Sequence, residues 1–94
     1  MVDRTRPAVV NVADDSTTVH TGRCFLYGVY VNTGLTAQAL PIKDGATTLV
    51  TIPASAAAGA HYSFPGIEFR TSLVVDPDNS ATGNITVAYL PDGL

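Results

Sequence analysis

The apolar residues of this chain come in short runs, each cut off by Gly, Pro or a cluster of Asp and Ser, and none is long enough for a stable isolated helix. The strongest run is Gly22 to Asn32, rich in Val, Tyr and Phe, residues that suit a pleated, half-buried surface. Simple alternation puts Phe25, Tyr27, Val29 and Val31 on one face and Cys24, Leu26 and Tyr30 on the other. Neither set is polar, so both faces of this strand are expected to be covered at least in part. Gly28 in its middle points to a bulge or a close backbone approach.

The rest of the chain reads in the same way. Ala8 to Val12 is a first strand, closed by the turn cluster Asp14-Asp15-Ser16, and Thr17 to His20 is a brief second one. Leu35 to Ile42 follows, with Pro41 placing it toward a sheet edge because proline cannot donate to a ladder. Lys43-Asp44-Gly45 is a hairpin turn in which Gly supplies the positive φ. Ala46 to Ile52 is a strand stopped by Pro53, and residues 54–60 make one helical turn or a loop of small residues. His61 to Phe64 and Ile67 to Val75 are strands separated or bent at Pro65-Gly66. Asp76-Pro77-Asp78-Asn79-Ser80 is a dense turn, and Gly83 to Leu90 closes the chain as its last strand.

About seven to eight short strands without a long helix define an all-β fold: a single small antiparallel β-sandwich, jelly-roll-like or immunoglobulin-like. Residues 1–6 read as a flexible N-terminal arm and 7–94 as the one domain. A repeat runs through it, since Gly28 and Gly66, Gly45 and Gly83, Thr48 and Thr86, and Pro53 and Pro91 share one interval. Two similar strand–loop–strand halves facing each other across a pseudo-two-fold axis would produce that pattern.

Charged residues are only 14% of the chain, against about 25% in an ordinary soluble domain. A small domain has a large surface, and here Thr, Ser, Ala, Gly and Asn must cover it. Interface cores are depleted in charge because desolvating an ion costs more than desolvating a hydroxyl or methyl, so this surface suits a subunit of a larger assembly. Net charge is −3 and only Arg4 and Arg6 form a close basic pair, which argues against nucleic acid as a partner. No segment has the ~20 apolar residues of a membrane helix, and Asp3, Arg4 and Arg6 precede the first apolar run, unlike a secretory signal. Cys24 is the single cysteine, so neither an internal disulfide nor a thiolate cage is available.

The reactive side chains form no constellation. Asp14 with Asp15, and Asp76 with Asp78, read as turn residues more readily than as an acid–base pair or a calcium loop. His20, His61 and Cys24 do not have the spacing of a zinc site, and Cys24 reads as a small buried hydrophobe rather than a nucleophile. Asn84-Ile85-Thr86 matches a glycosylation sequon but lies in strand sequence. Tyr27, Tyr30, Tyr62 and Tyr89 are strand residues whose rings serve packing or a sugar-stacking face. No catalytic, cofactor-binding or metal-ligating residue is assigned, no cofactor is implied, and an enzyme is not expected.

The Val/Thr/Ala/Gly-rich texture, the strand Gly28-Val29-Tyr30-Val31-Asn32-Thr33, the turn Ile42-Lys43-Asp44-Gly45 and the closing strand Gly83 to Leu90 together resemble the small all-β virion proteins of tailed bacteriophages, in particular cement or decoration proteins on the outside of a capsid. The resemblance covers most of residues 20–91 and rests on short patterns. It implies a structural virion protein made in the host cytoplasm and placed on the capsid surface. It also implies a homo-oligomer, often a trimer, bound to the major capsid protein or other virion subunits, with no nucleic-acid or membrane partner. Arg4, Arg6, Tyr30 and Tyr62 are the candidate partner contacts, and free sheet edges offer a second route by strand addition. Two alternatives share the texture: a carbohydrate- or receptor-binding module of a fibre or tail, and a tail or neck connector subunit.

Overall fold

The computed structural model describes residues 5–13, 16–36, 38–77 and 81–91. Eight strands follow one another: β1 (Arg6–Asn11), β2 (Thr17–Thr21), β3 (Cys24–Thr33), β4 (Leu40–Asp44), β5 (Thr47–Ile52), β6 (His61–Phe69), β7 (Ser72–Val75) and β8 (Asn84–Pro91). All pairings are antiparallel, and they nest: β4 pairs with β5, β3 with β6, β2 with β7 and β1 with β8. The chain is thus one long hairpin, folded back at the β4–β5 turn and then wound up. Two further pairings, β3 with β8 and β4 with β7, join the ribbon into two four-stranded sheets, ordered β1-β8-β3-β6 and β2-β7-β4-β5. That order is a jelly roll; the immunoglobulin-like alternative falls away.

The hairpin at the centre of this winding has a local cause. Asp44 and Thr47 face each other across a two-residue loop, and Gly45 takes φ 61°, the conformation that a type II′ turn needs at its first central residue. From that turn outward, alternate residues point between the sheets. Leu26, Val29, Phe69, Ile85 and Val87 from one sheet meet Ile42, Ile52, Leu73 and Val75 from the other, and Val12, Leu35, Ala56 and Ala81 close the ends. Each large apolar side chain buried here contributes about 1.5–3 kcal/mol. Among the described residues no polar or charged residue is buried, so the core rests on packing alone.

Several sequence expectations change. The repeat is not architectural. β3 lies inside its sheet with partners on both sides while β6 is an edge, and β5 is an edge of one sheet while β8 is inside the other. Gly66 has φ 100° and Gly28 does not have a positive φ. The halves are related by nesting about the β4–β5 turn, and Gly- and Pro-punctuated Val/Thr sequence matched itself by composition. Residues 35, 36, 38 and 39 are not strand; Leu35 and Thr36 instead donate backbone hydrogen bonds to the carbonyls of Ala56 and Thr82. Pro41 sits in β4, an interior strand. Its carbonyl accepts from the Asp76 amide, so its missing N–H faces the side on which β7 has already ended at Val75. Pro65-Gly66 does not end a strand but lies in an irregular stretch of β6; the break comes at Arg70-Thr71. Residues 54–60 form a turned loop, and β1 takes in Arg6, one residue earlier than the domain boundary drawn from sequence.

Candidate functional site

The register of β3 decides what the outside of the molecule presents. Leu26 pairs with Tyr89 and Gly28 with Ala88, so Tyr27 is an extra residue in β3. The alternation changes phase there: Cys24, Leu26, Val29 and Val31 are buried, while Phe25, Tyr27 and Tyr30 turn outward. The faces assigned from simple alternation are therefore corrected by a bulge. Gly28 allows a close approach in this stretch, because a β-carbon on it would lie 3.4 Å from the Tyr62 carbonyl oxygen and 3.7 Å from the Tyr30 ring.

The outer face of the β1-β8-β3-β6 sheet can then be read across the strands. Val9, Thr86, Tyr30 and His61 form one row. Tyr30 stacks on His61 with ring centroids 4.4 Å apart, and His61 Nε2 shares a 2.9 Å hydrogen bond with the Ser63 hydroxyl. Pro7, Ala88, Gly28 and Ser63 form the next row. The Asn32 amide donates to Asn84 Oδ1 and Thr86 Oγ1, both at 2.8 Å, which ties down one end of the face. Tyr27 lies against Gly66, where an added β-carbon would come within 3.1 Å of its ring. Among the described residues charge enters this face at the opposite end, where Arg23 pairs with Glu68 at 2.6 Å and lies over Phe25, and Arg70 reaches the same carboxylate. Val9, Tyr30 and Tyr27 are 69%, 43% and 38% exposed, so three of the four exposed large apolar side chains among the described residues share this charge-poor face. The other sheet differs: Lys43 and Asp76 form a 2.7 Å ion pair on its outside.

The edges are managed separately. β1 carries Pro7, β6 carries Pro65 in its irregular stretch, β2 has an extra residue at Val19 and β5 one at Leu49. Proline and bulges on edge strands interrupt the row of free backbone groups that another strand would use. Strand addition, expected from sequence, finds no uninterrupted edge.

Of the candidate contacts, Tyr30 is on the face. Tyr62 points the other way and packs against the core, because its partner in the register is the buried Val29. Arg6 is exposed at the start of β1, opposite Tyr89, and Arg4 lies outside the described residues. Val9 and His61 join the face without a sequence signal of their own; the bulge at Tyr27, which Gly28 hints at, is what places Tyr27 beside Tyr30.

Among the described residues no ligand cluster forms around the remaining reactive groups. His20 lies near Tyr89, 5.6 Å between centroids, and His61 lies outside the opposite sheet. Cys24 is fully buried, and burial, with Asp44's charge adding, pushes its thiol up to about 11. Among the described residues no three of His, Cys, Asp or Glu come together as metal ligands. Asp76 is engaged by Lys43, Asn84 by Asn32, and Asp14, Asp15 and Asp78 lie outside the described residues. Asp44 accepts the backbone N–H groups of Arg70, Thr71 and Ser72, which holds its carboxyl below the usual carboxylate range. Its role is to shape the turn between β6 and β7. Comparison with protein-family models, curated proteins and solved structures found no match.

Proposed function

We propose that this chain is a non-catalytic virion subunit of a tailed bacteriophage, of the capsid cement or decoration type, which works as a homo-oligomer on the capsid surface and contacts the major capsid protein or other virion subunits. The observation that carries the reading is the outer face of the β1-β8-β3-β6 sheet, which bears Tyr27, Tyr30 and Val9 in the open with its described charges confined to the Arg23–Glu68–Arg70 end, on a molecule whose four sheet edges are all interrupted. Exposed apolar surface gathered in one patch marks a contact site, and charge depletion with tyrosine enrichment is the composition of an interface core. A protein that binds the assembled shell and not its free subunits stabilises the shell by linkage.

The test is co-sedimentation of purified protein with assembled capsids of the phage whose genome encodes the chain, alongside the unassembled capsid protein. Retention on assembled capsids alone supports the proposal; no retention on them refutes it. A second reading, a saccharide-binding module, is favoured by the Tyr30–His61 stack beside the fixed Asn32 amide. Binding on a glycan array that is lost in Tyr30→Ala would select it. A tail or neck connector would instead assemble into a ring.

A further inference from the structure

We propose that Asp44–Gly45 is a modification site. In the unfolded chain it isomerises to isoaspartate, which bars that chain from refolding, and in the native protein the turn between β6 and β7 holds it out of this reaction.

The sequence supplies the reactive pair. Asp is followed by Gly at 44–45 and at 92–93, and no Asn precedes a Gly. A glycine has no side chain to hinder its own nitrogen. The Gly45 nitrogen can therefore attack Asp44 Cγ when the carboxyl is protonated. A new N–C bond closes a five-membered succinimide, and the amide proton and the carboxyl hydroxyl leave together as water. Water then adds back at either ring carbonyl. Addition at the side-chain carbonyl restores Asp, whereas addition at the main-chain carbonyl leaves the peptide running through Cγ as isoaspartate.

The native structure blocks the first step. Asp44 Oδ1 accepts from the Thr71 and Ser72 amides at 2.8 and 3.3 Å, and Oδ2 from the Arg70 amide at 3.0 Å. Both oxygens are thus turned across to the neighbouring turn, and closing the ring requires their release. The same amides favour the ionised carboxylate, from which no hydroxyl can leave. Gly45 itself lies against this turn, since a β-carbon on it would meet Thr71 Cγ2 at 3.7 Å.

The place of the pair in the fold makes the product harmful. Asp44 faces Thr47 in β5 and Leu73 in β7, and the pairings of β3 with β6, β2 with β7 and β1 with β8 all nest outside this hairpin. Isoaspartate adds a carbon to the main chain there, so the ladders on both sides lose their register. It also moves the carboxylate that satisfies three turn amides.

The test incubates the full chain at neutral pH, in native buffer and in concentrated guanidinium chloride, and locates isoaspartate by peptide mapping with electron-transfer fragmentation. In denaturant Asp44 is expected to isomerise at a rate similar to Asp92, the other Asp followed by Gly. In native buffer its rate is expected to fall about tenfold or more, the factor that one hydrogen bond to a charged group represents. Asp44→Asn cyclises with loss of ammonia, and its neutral carboxamide accepts the amides less strongly. Its ratio of denatured to native rate is therefore expected to be smaller. On dilution from denaturant, chains bearing isoaspartate at this position are expected in the fraction that does not refold, and repair by isoaspartyl methyltransferase is expected to return them. Equal Asp44 rates in the two media, an Asp44→Asn ratio as large as that of the unaltered chain, or isoaspartate-bearing chains that recover the native melting curve would each overturn the proposal.

Discussion

Individual residues here act mainly through backbone geometry. Gly83 has φ 130°, and a β-carbon on it would lie 2.8 Å from Leu35 Cδ2 and 2.9 Å from the Gly34 carbonyl oxygen. Backbone cannot yield as a flexible side chain can, so Gly83→Ala is expected to cost roughly 2–3 kcal/mol. Gly28→Ala, with ordinary φ and contacts no closer than 3.4 Å, is expected to cost less than about 1 kcal/mol by the same principle. Urea unfolding of both variants checks the contrast. Asp44 gives a pH signature. Its carboxyl is lowered in the folded protein first by the Arg70 and Thr71 amides. Its contribution is therefore complete above the ordinary carboxylate value of about 3.9 and disappears as pH falls through the lower folded value. Asp44→Asn is expected to flatten that acid limb of the stability–pH curve, read by thermal melts from neutral to strongly acidic pH, and Asp44→Ala to cost about 1 kcal/mol at neutral pH.

At the level of elements, Pro7 and Pro65 and the extra residues at Val19 and Leu49 interrupt the edges. Restoring an N–H to one of them should matter for solubility more than for stability. Pro7→Thr is expected to bring forward the onset of light scattering on heating with little change in melting temperature; an unchanged onset would show that proline is not what protects β1. These same elements show what the sequence made legible. Strand-rich runs, the Gly45 hairpin and the final strand followed from alternation and turn chemistry, which are local. The Arg70-Thr71 turn did not, because it contains no Gly, Pro or Asn; its amides are satisfied by Asp44, a side chain more than twenty-five positions earlier. Simple alternation puts Tyr27 and Tyr30 on opposite faces for a related reason. Gly28 advertised a bulge, but only the pairing with Ala88 shows which residue it adds.

For the molecule as a whole, nested pairing means that little of the fold is local: Arg6 and Tyr89 must meet before β1 is part of anything. Such topologies fold slowly, in roughly milliseconds to seconds, and open cooperatively. Cys24 reports on that opening. It is 0% exposed at the start of β3 between Phe69 and Pro91, with its thiol raised to about 11, so a thiol reagent at neutral pH is expected to modify it only as fast as the core opens. Labelling rates that track urea as global unfolding does would bear this out; fast labelling of the native protein would show a breach near β3. The pairing of β1 with β8 also brings the two ends of the domain to neighbouring places, with Cα atoms of facing residues about 5 Å apart. A host polypeptide could therefore leave one of its loops, run through all eight strands and return almost where it departed, so the domain is shaped to be carried as an insert as readily as to stand alone.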